Sequence, residues 1–346
     1  MATVDVEAQE MSTPTKTSST TAPRGGAGSP STARRDGRAR FVVGYLAVAA
    51  VLPYLVLKLM WISGSTVGIA ETSPLDAAVV QGGNLVTVAM ELFAVAIILA
   101  FTHSWGLRAP AWLVLVPTWI GMGLLAPFLI TGPVVAVFVT TEPSSVGDGS
   151  LAPWVGPLVY LGFGAQAVGI TISFVLYARA RWGRELTGRL SDRPSGPSRP
   201  ALLPVTWGIV ALLTVVSASR LLWSLGATWG LTPQLVESRG AVERLADATS
   251  ALFAIGAVMG LLMLVRRRPG RERAWVPVVL AWVGGGATLS SGAYSLVLLL
   301  TRLAGPAASV PTAGVVPFVD LVQVVAGTAT AVAGAVLLAE LRPIRR

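Results

Sequence analysis

The chain has 346 residues, of which 53% are hydrophobic and only 12% charged, with a mean hydropathy of +0.69. A soluble domain carries about 25% charged residues, so a water-soluble fold is excluded. The absence of Cys rules out disulfides and thiolate metal sites, and a single His, His103, cannot supply a bis-histidine haem or a histidine metal cluster. No cofactor and no metal is expected.

Residues 1–40 are rich in Ser, Thr, Pro, Gly and Ala and close on Arg34-Arg35-Asp36-Gly37-Arg38-Ala39-Arg40. They show neither a helical nor a strand period and read as a disordered basic tail. The apolar run that begins at Phe41 is too long for the h-region of a signal peptide, so cleavage is not expected. Eight apolar runs follow, over about 41–62, 80–101, 110–131, 154–178, 202–223, 246–265, 275–300 and 315–339. Each is long enough to cross a hydrocarbon core of about 30 Å. Backbone polar groups in lipid must be satisfied within the segment, so these runs predict helices. Barrel strands would alternate in polarity over about ten residues, which these runs do not. The predicted fold is therefore all-α, a polytopic membrane helix bundle. The seventh run is interrupted by Gly284-Gly285-Gly286 and Ser290-Ser291-Gly292, which predicts a tilt, kink or break.

Orientation follows from the basic residues. Six lie in the tail, one in the 102–109 loop, six in 179–201, five in 266–274 and three at the C-terminus, so 21 of the 26 fall on one side. The positive-inside rule then predicts cytoplasmic termini, with residues 341–346 as a short cytoplasmic end, and plasma-membrane localisation. The net charge of +9 is explained by this distribution, so anionic lipid headgroups are the expected partners and nucleic acid is not.

The chain also repeats itself. Lys58-Leu59-Met60-Trp61-Ile62-Ser63-Gly64-Ser65-Thr66-Val67-Gly68-Ile69 is echoed 162 residues later by Arg220-Leu221-Leu222-Trp223-Ser224-Leu225-Gly226-Ala227-Thr228-Trp229-Gly230-Leu231. The third spans align at an offset of 163 through Trp112/Trp275, Trp119/Trp282, Gly121/Gly284 and Gly123/Gly286. Each half has an even number of spans, which predicts two four-helix repeats, 41–178 and 202–340, in parallel orientation about an axis along the membrane normal. Residues 179–201, with three prolines, read as the cytoplasmic linker.

Four ionisable residues form the candidate intramembrane polar site: Glu91, Asp320, Lys58 and Arg220. Helix rise puts Lys58 and Arg220 about 5–6 Å inside the outer helix ends, Asp320 about 8 Å deep and Glu91 about 16 Å deep. Snorkelling to the interface is the simpler reading of the two cations, and a pair at the mouth of an anion-binding cavity is the alternative. On these depths Asp320 pairs with a cation, whereas a direct Lys58–Glu91 bridge is not expected. Asp247, at the edge of the sixth span, is expected to face water. Glu91 reads either as a protonated carboxylic acid bonded to a neighbouring helix or as a proton or cation site, and it has no acidic counterpart at the aligned positions near 251–253. Gly64-xxx-Gly68 and Gly226-xxx-Gly230 read as turn glycines, and Gly256-xxx-Gly260 as a packing face. No phosphate loop, nucleophile elbow or HExxH helix is present, so catalysis is not expected.

The tract Pro53-Tyr54-Leu55-Val56-Leu57-Lys58-Leu59-Met60-Trp61-Ile62-Ser63-Gly64, the Ser/Pro/Arg-rich tail and the preference for Arg over Lys resemble uncharacterised multi-pass integral membrane proteins of high-GC actinobacteria. The resemblance implies a membrane location and brings no activity or site residue with it. Two functions fit these features: translocation of a small molecule or ion through a cavity between the repeats, or a non-catalytic scaffold or regulatory subunit bound to another membrane protein.

Overall fold

A computed structural model describes residues 30–70, 77–141, 151–187, 199–266, 275–304 and 314–340. The described residues form ten helices: α1 (Pro30–Ile62), α2 (Ala77–Thr102), α3 (Ser104–Arg108), α4 (Ala111–Thr141), α5 (Val155–Thr187), α6 (Arg199–Ser224), α7 (Pro233–Ser238), α8 (Ala241–Arg266), α9 (Trp275–Ala304) and α10 (Val316–Glu340). Eight of them are long and apolar enough to span a bilayer, which makes this an all-α, multi-pass membrane protein. The acidic loop residues Glu71, Asp76, Glu142 and Asp148, the linker core 188–198 and both chain ends lie outside the described residues.

Four expectations are corrected in detail. Helix α1 starts at Pro30, so the last part of the stretch read as tail is helical. Its end is held because Arg40, itself buried, donates through Nε to the Phe101 carbonyl at 3.0 Å, satisfying an orphan acceptor in the last turn of α2. At the linker, α5 runs on to Thr187, with non-helical dihedrals at Trp182, and α6 starts at Arg199. Helix α8 begins at Ala241, five residues before the predicted start. Asp247 therefore lies more than a turn inside it.

Finally, α9 is one helix from Trp275 to Ala304 with no break. Its glycines are contact points instead. Helical positions about 100° apart send Gly284 against Ala257 of α8, Gly285 against Thr330 of α10 and Gly286 against Trp119 of α4. Thr288 returns its hydroxyl to the Gly284 carbonyl at 2.8 Å, as polar residues in membrane helices commonly do.

The twin tracts fold into the same corner. Gly64 and Gly226 have φ of 90° and 95°, and Gly68 and Gly230 have φ of 77° and 69°, a region that glycine enters without steric cost. Gly64 N–H donates to Trp61 O and Gly226 N–H to Trp223 O, both at 3.1 Å. The Trp61 indole donates to Val67 O at 2.7 Å and the Trp223 indole to Trp229 O at 2.9 Å. The chain then accepts a returning strand-like contact, from Ala152 N–H to Gly68 O and from Val315 N–H to Gly230 O, both at 2.9 Å. All of these pairs keep the 162- or 163-residue offset.

In the second half α6 packs on α8 and α10, α8 on α9, and α9 on α10, closing a four-helix ring around Leu213, Val216, Ala254, Ala257 and Ala326. In the first half α1 packs on α2 and α5, and α5 on α4, but α2 barely touches α4. The halves join chiefly along α4 and α9. Residues aligned at offset 163 meet there: the Trp119 and Trp282 rings lie 6.3 Å apart, and a Cβ on Gly123 would collide with the Gly286 carbonyl. Trp119 donates to Trp282 O at 2.8 Å, and Ser290 to Ile120 O at 3.1 Å.

Candidate functional site

The charged candidates gather at the end of the bundle that carries the two glycine corners, in one cluster per half. In the first half Lys58 Nζ donates to Glu91 Oε1 at 2.7 Å, with both side chains almost wholly buried. This corrects the expectation that the two lie too far apart. Counting residues gives depth only along each helix's own axis: Lys58 is four residues before the end of α1, about 6 Å, whereas Glu91 is fourteen past the start of α2 at Ala77, about 21 Å. The direction of each Cβ narrows that difference. Every Cα–Cβ bond tilts toward its helix's N-terminus, and α1 and α2 are antiparallel, so Lys58 leans away from the corner and Glu91 leans toward it. Snorkelling would require Lys58 to bend the other way.

Aromatic faces complete the surroundings. The Lys58 ammonium lies 4.2 Å from the centre of the Tyr54 ring and 5.7 Å from that of Phe163. Tyr54 and Phe163 meet edge to face at 5.4 Å, and Phe128 packs on Phe163 at 5.1 Å. Glu91 Oε2 is buried with no hydrogen-bond partner among the described residues.

In the second half Arg220, the counterpart of Lys58, forks to three acceptors. Its Nη1 donates to Asp247 Oδ1 at 2.9 Å, and its Nη2 to Asp320 Oδ1 and to Gln323 Oε1, the latter at 2.7 Å. Arg239, in the α7–α8 connection, pairs with the other Asp247 oxygen. Desolvation, and after it the adjacent Arg220 charge, holds Arg239 below the ordinary arginine range. The Trp223 ring lies under both guanidinium groups, at 5.5 Å from Arg220 and 5.8 Å from Arg239. The expected pairing of Asp320 with a cation is thus present. Asp247 is 3% exposed, so it does not face water.

Each cluster is electrically neutral, one cation against one anion in the first half and two against two in the second. Such compensation is what a charge in hydrocarbon requires. The structure brings Arg220 together with Asp320 and Lys58 together with Glu91, and keeps the pairs in separate halves. Asp247 takes the position that Glu91 occupies in the first half, displaced by one helical turn: alignment places Glu91 at 251, and 247 is four residues earlier. Tyr54, Phe163, Gln323 and Arg239 were not foreseen. Tyr54 had a signal, since it lies four residues before Lys58 on one helix face; Gln323 follows Asp320 by three in the same way. Phe163 and Arg239 had none.

At the junction of α4, α5 and α9 a small cleft is lined by Thr171 and otherwise by apolar side chains, among them Met122, Leu125, Ala167, Ile170 and Val283. None of the four candidate residues borders it. No group of three or more metal-ligating side chains occurs among the described residues. No protein-family model matches this chain, and no curated protein and no solved structure matches it.

Proposed function

We propose that this chain is a non-catalytic plasma-membrane scaffold or regulatory subunit, built from two parallel four-helix repeats with both termini in the cytoplasm. In this reading the two ion clusters are locks in the outer leaflet, one per repeat, that hold the helix ends while the lipid-facing and rim surfaces meet a membrane partner. The observation that carries it is charge balance within sealed surroundings: Lys58, Glu91, Asp247 and Asp320 are each at most 5% exposed, and the cleft at the α4–α9 junction is lined by apolar side chains and Thr171, with no charged group. A translocation path would be expected to bring at least one titratable group to a hydrated cavity. The parallel-repeat arrangement is supported by the recurring corner hydrogen bonds and by Trp119 facing Trp282. The orientation is supported by the bias of basic residues.

Reconstitution separates this reading from its rival. In sealed vesicles the wild-type chain is expected to move no proton or cation beyond the leak of empty vesicles. A flux that Glu91→Gln abolishes while the protein stays folded would establish translocation instead. One observation favours that second reading: Glu91 Oε2 has no hydrogen-bond partner among the described residues.

A further inference from the structure

We infer that Tyr54, Phe163 and Glu91 form an ammonium-binding site whose resident ligand is the tethered Lys58 side chain, and that the site accepts a free primary alkylammonium ion once that side chain is shortened. The inference stands on the geometry of the cluster and holds whether the protein is a scaffold or a transporter.

Three features define the ligand class. A carboxylate oxygen accepts from the cation at 2.7 Å, so the ligand must carry an N–H. Two aromatic faces lie at 4.2 and 5.7 Å, a distance at which ring quadrupoles attract a compact positive charge. The second carboxylate oxygen is buried and has no hydrogen-bond partner among the described residues, which leaves acceptor capacity for a further ammonium proton. A planar guanidinium distributes its donors over a wide fork and suits several oxygens at once. The cluster in the other half is built that way, with Asp247, Asp320 and Gln323 around Arg220. The first half offers one carboxylate and rings, which suits a point charge.

Truncation tests this directly. Lys58→Ala removes three methylenes and the ammonium, and propylammonium is the missing piece. In the purified full chain, Lys58→Ala is expected to lower the unfolding temperature. Propylammonium should raise it again in a saturable way, binding about fourfold more tightly for each methylene from methyl- to propylammonium. Propanol, tetramethylammonium and methylguanidinium should not restore it, and neither the wild type nor the Lys58→Ala/Glu91→Gln double variant should respond to any amine. If Lys58→Ala does not fold alone, the yield of folded protein solubilised with propylammonium takes the place of the melting temperature. A double-mutant cycle gives a second measure: Tyr54→Leu should cost stability with Lys58 present and much less in the Lys58→Met background. Equal rescue by propanol, rescue that survives loss of Glu91, or zero Tyr54–Lys58 coupling overturns the proposal.

Discussion

Lys58 and Arg220 occupy equivalent positions yet are held by different chemistry, and this difference has consequences that single substitutions reveal. Lys58 has one carboxylate and two rings; Arg220 has three acceptors in a fork. Arg220→Lys leaves at least one acceptor in that cluster unmatched, and a hydrogen bond to a charged group contributes about 1.5–3 kcal/mol. Denaturant titration of the purified protein should show a loss of that order. Removing one member of the other pair is costlier. Glu91→Ala strands an ammonium in apolar surroundings and is expected to destabilise by about 3–5 kcal/mol, whereas Lys58→Met combined with Glu91→Leu should lie close to wild type. If the double variant proves no better than Glu91→Ala, the loss comes from removing the pair itself and not from the stranded ammonium.

Among the elements, α4 and α9 show how one residue type at equivalent positions meets two fates. Gly284 lies against Ala257 of α8, so closely that a Cβ there would come within 2.5 Å of the Ala257 nitrogen, while a Cβ on Gly121, its aligned partner, would meet nothing within 4 Å. Gly284→Ala should therefore cost about 1–3 kcal/mol through overpacking. Gly121→Ala should be neutral or stabilise by up to about 1 kcal/mol, because alanine is the better helix former. Thermal unfolding of the two variants side by side checks both signs. The contrast has one structural source: α8 closes on α9, whereas α2 stands off from α4.

On the scale of the whole molecule, the prediction concerns sidedness. The chain has no Cys, so single cysteines report without background. Ser65→Cys and Ala227→Cys, in the two glycine corners, should both react with an impermeant maleimide added to intact cells. Labelling of only one would place the corners on opposite faces and end the parallel-repeat reading.

The eight spans, their approximate ends and the glycine corners were legible in the chain alone. Membrane insertion is decided locally, by apolar length and by the need to satisfy each backbone group within its own segment. The corners were legible because Gly64, Gly68 and their echoes supply a dihedral that other residues adopt only at a cost. The pairing of Lys58 with Glu91, the burial of Asp247 and the continuity of α9 through three glycines were decided only by tertiary structure. Depth along one helix is a single coordinate, whereas a salt bridge depends on which way two antiparallel helices lean their side chains and on which neighbour fills the space beside a glycine.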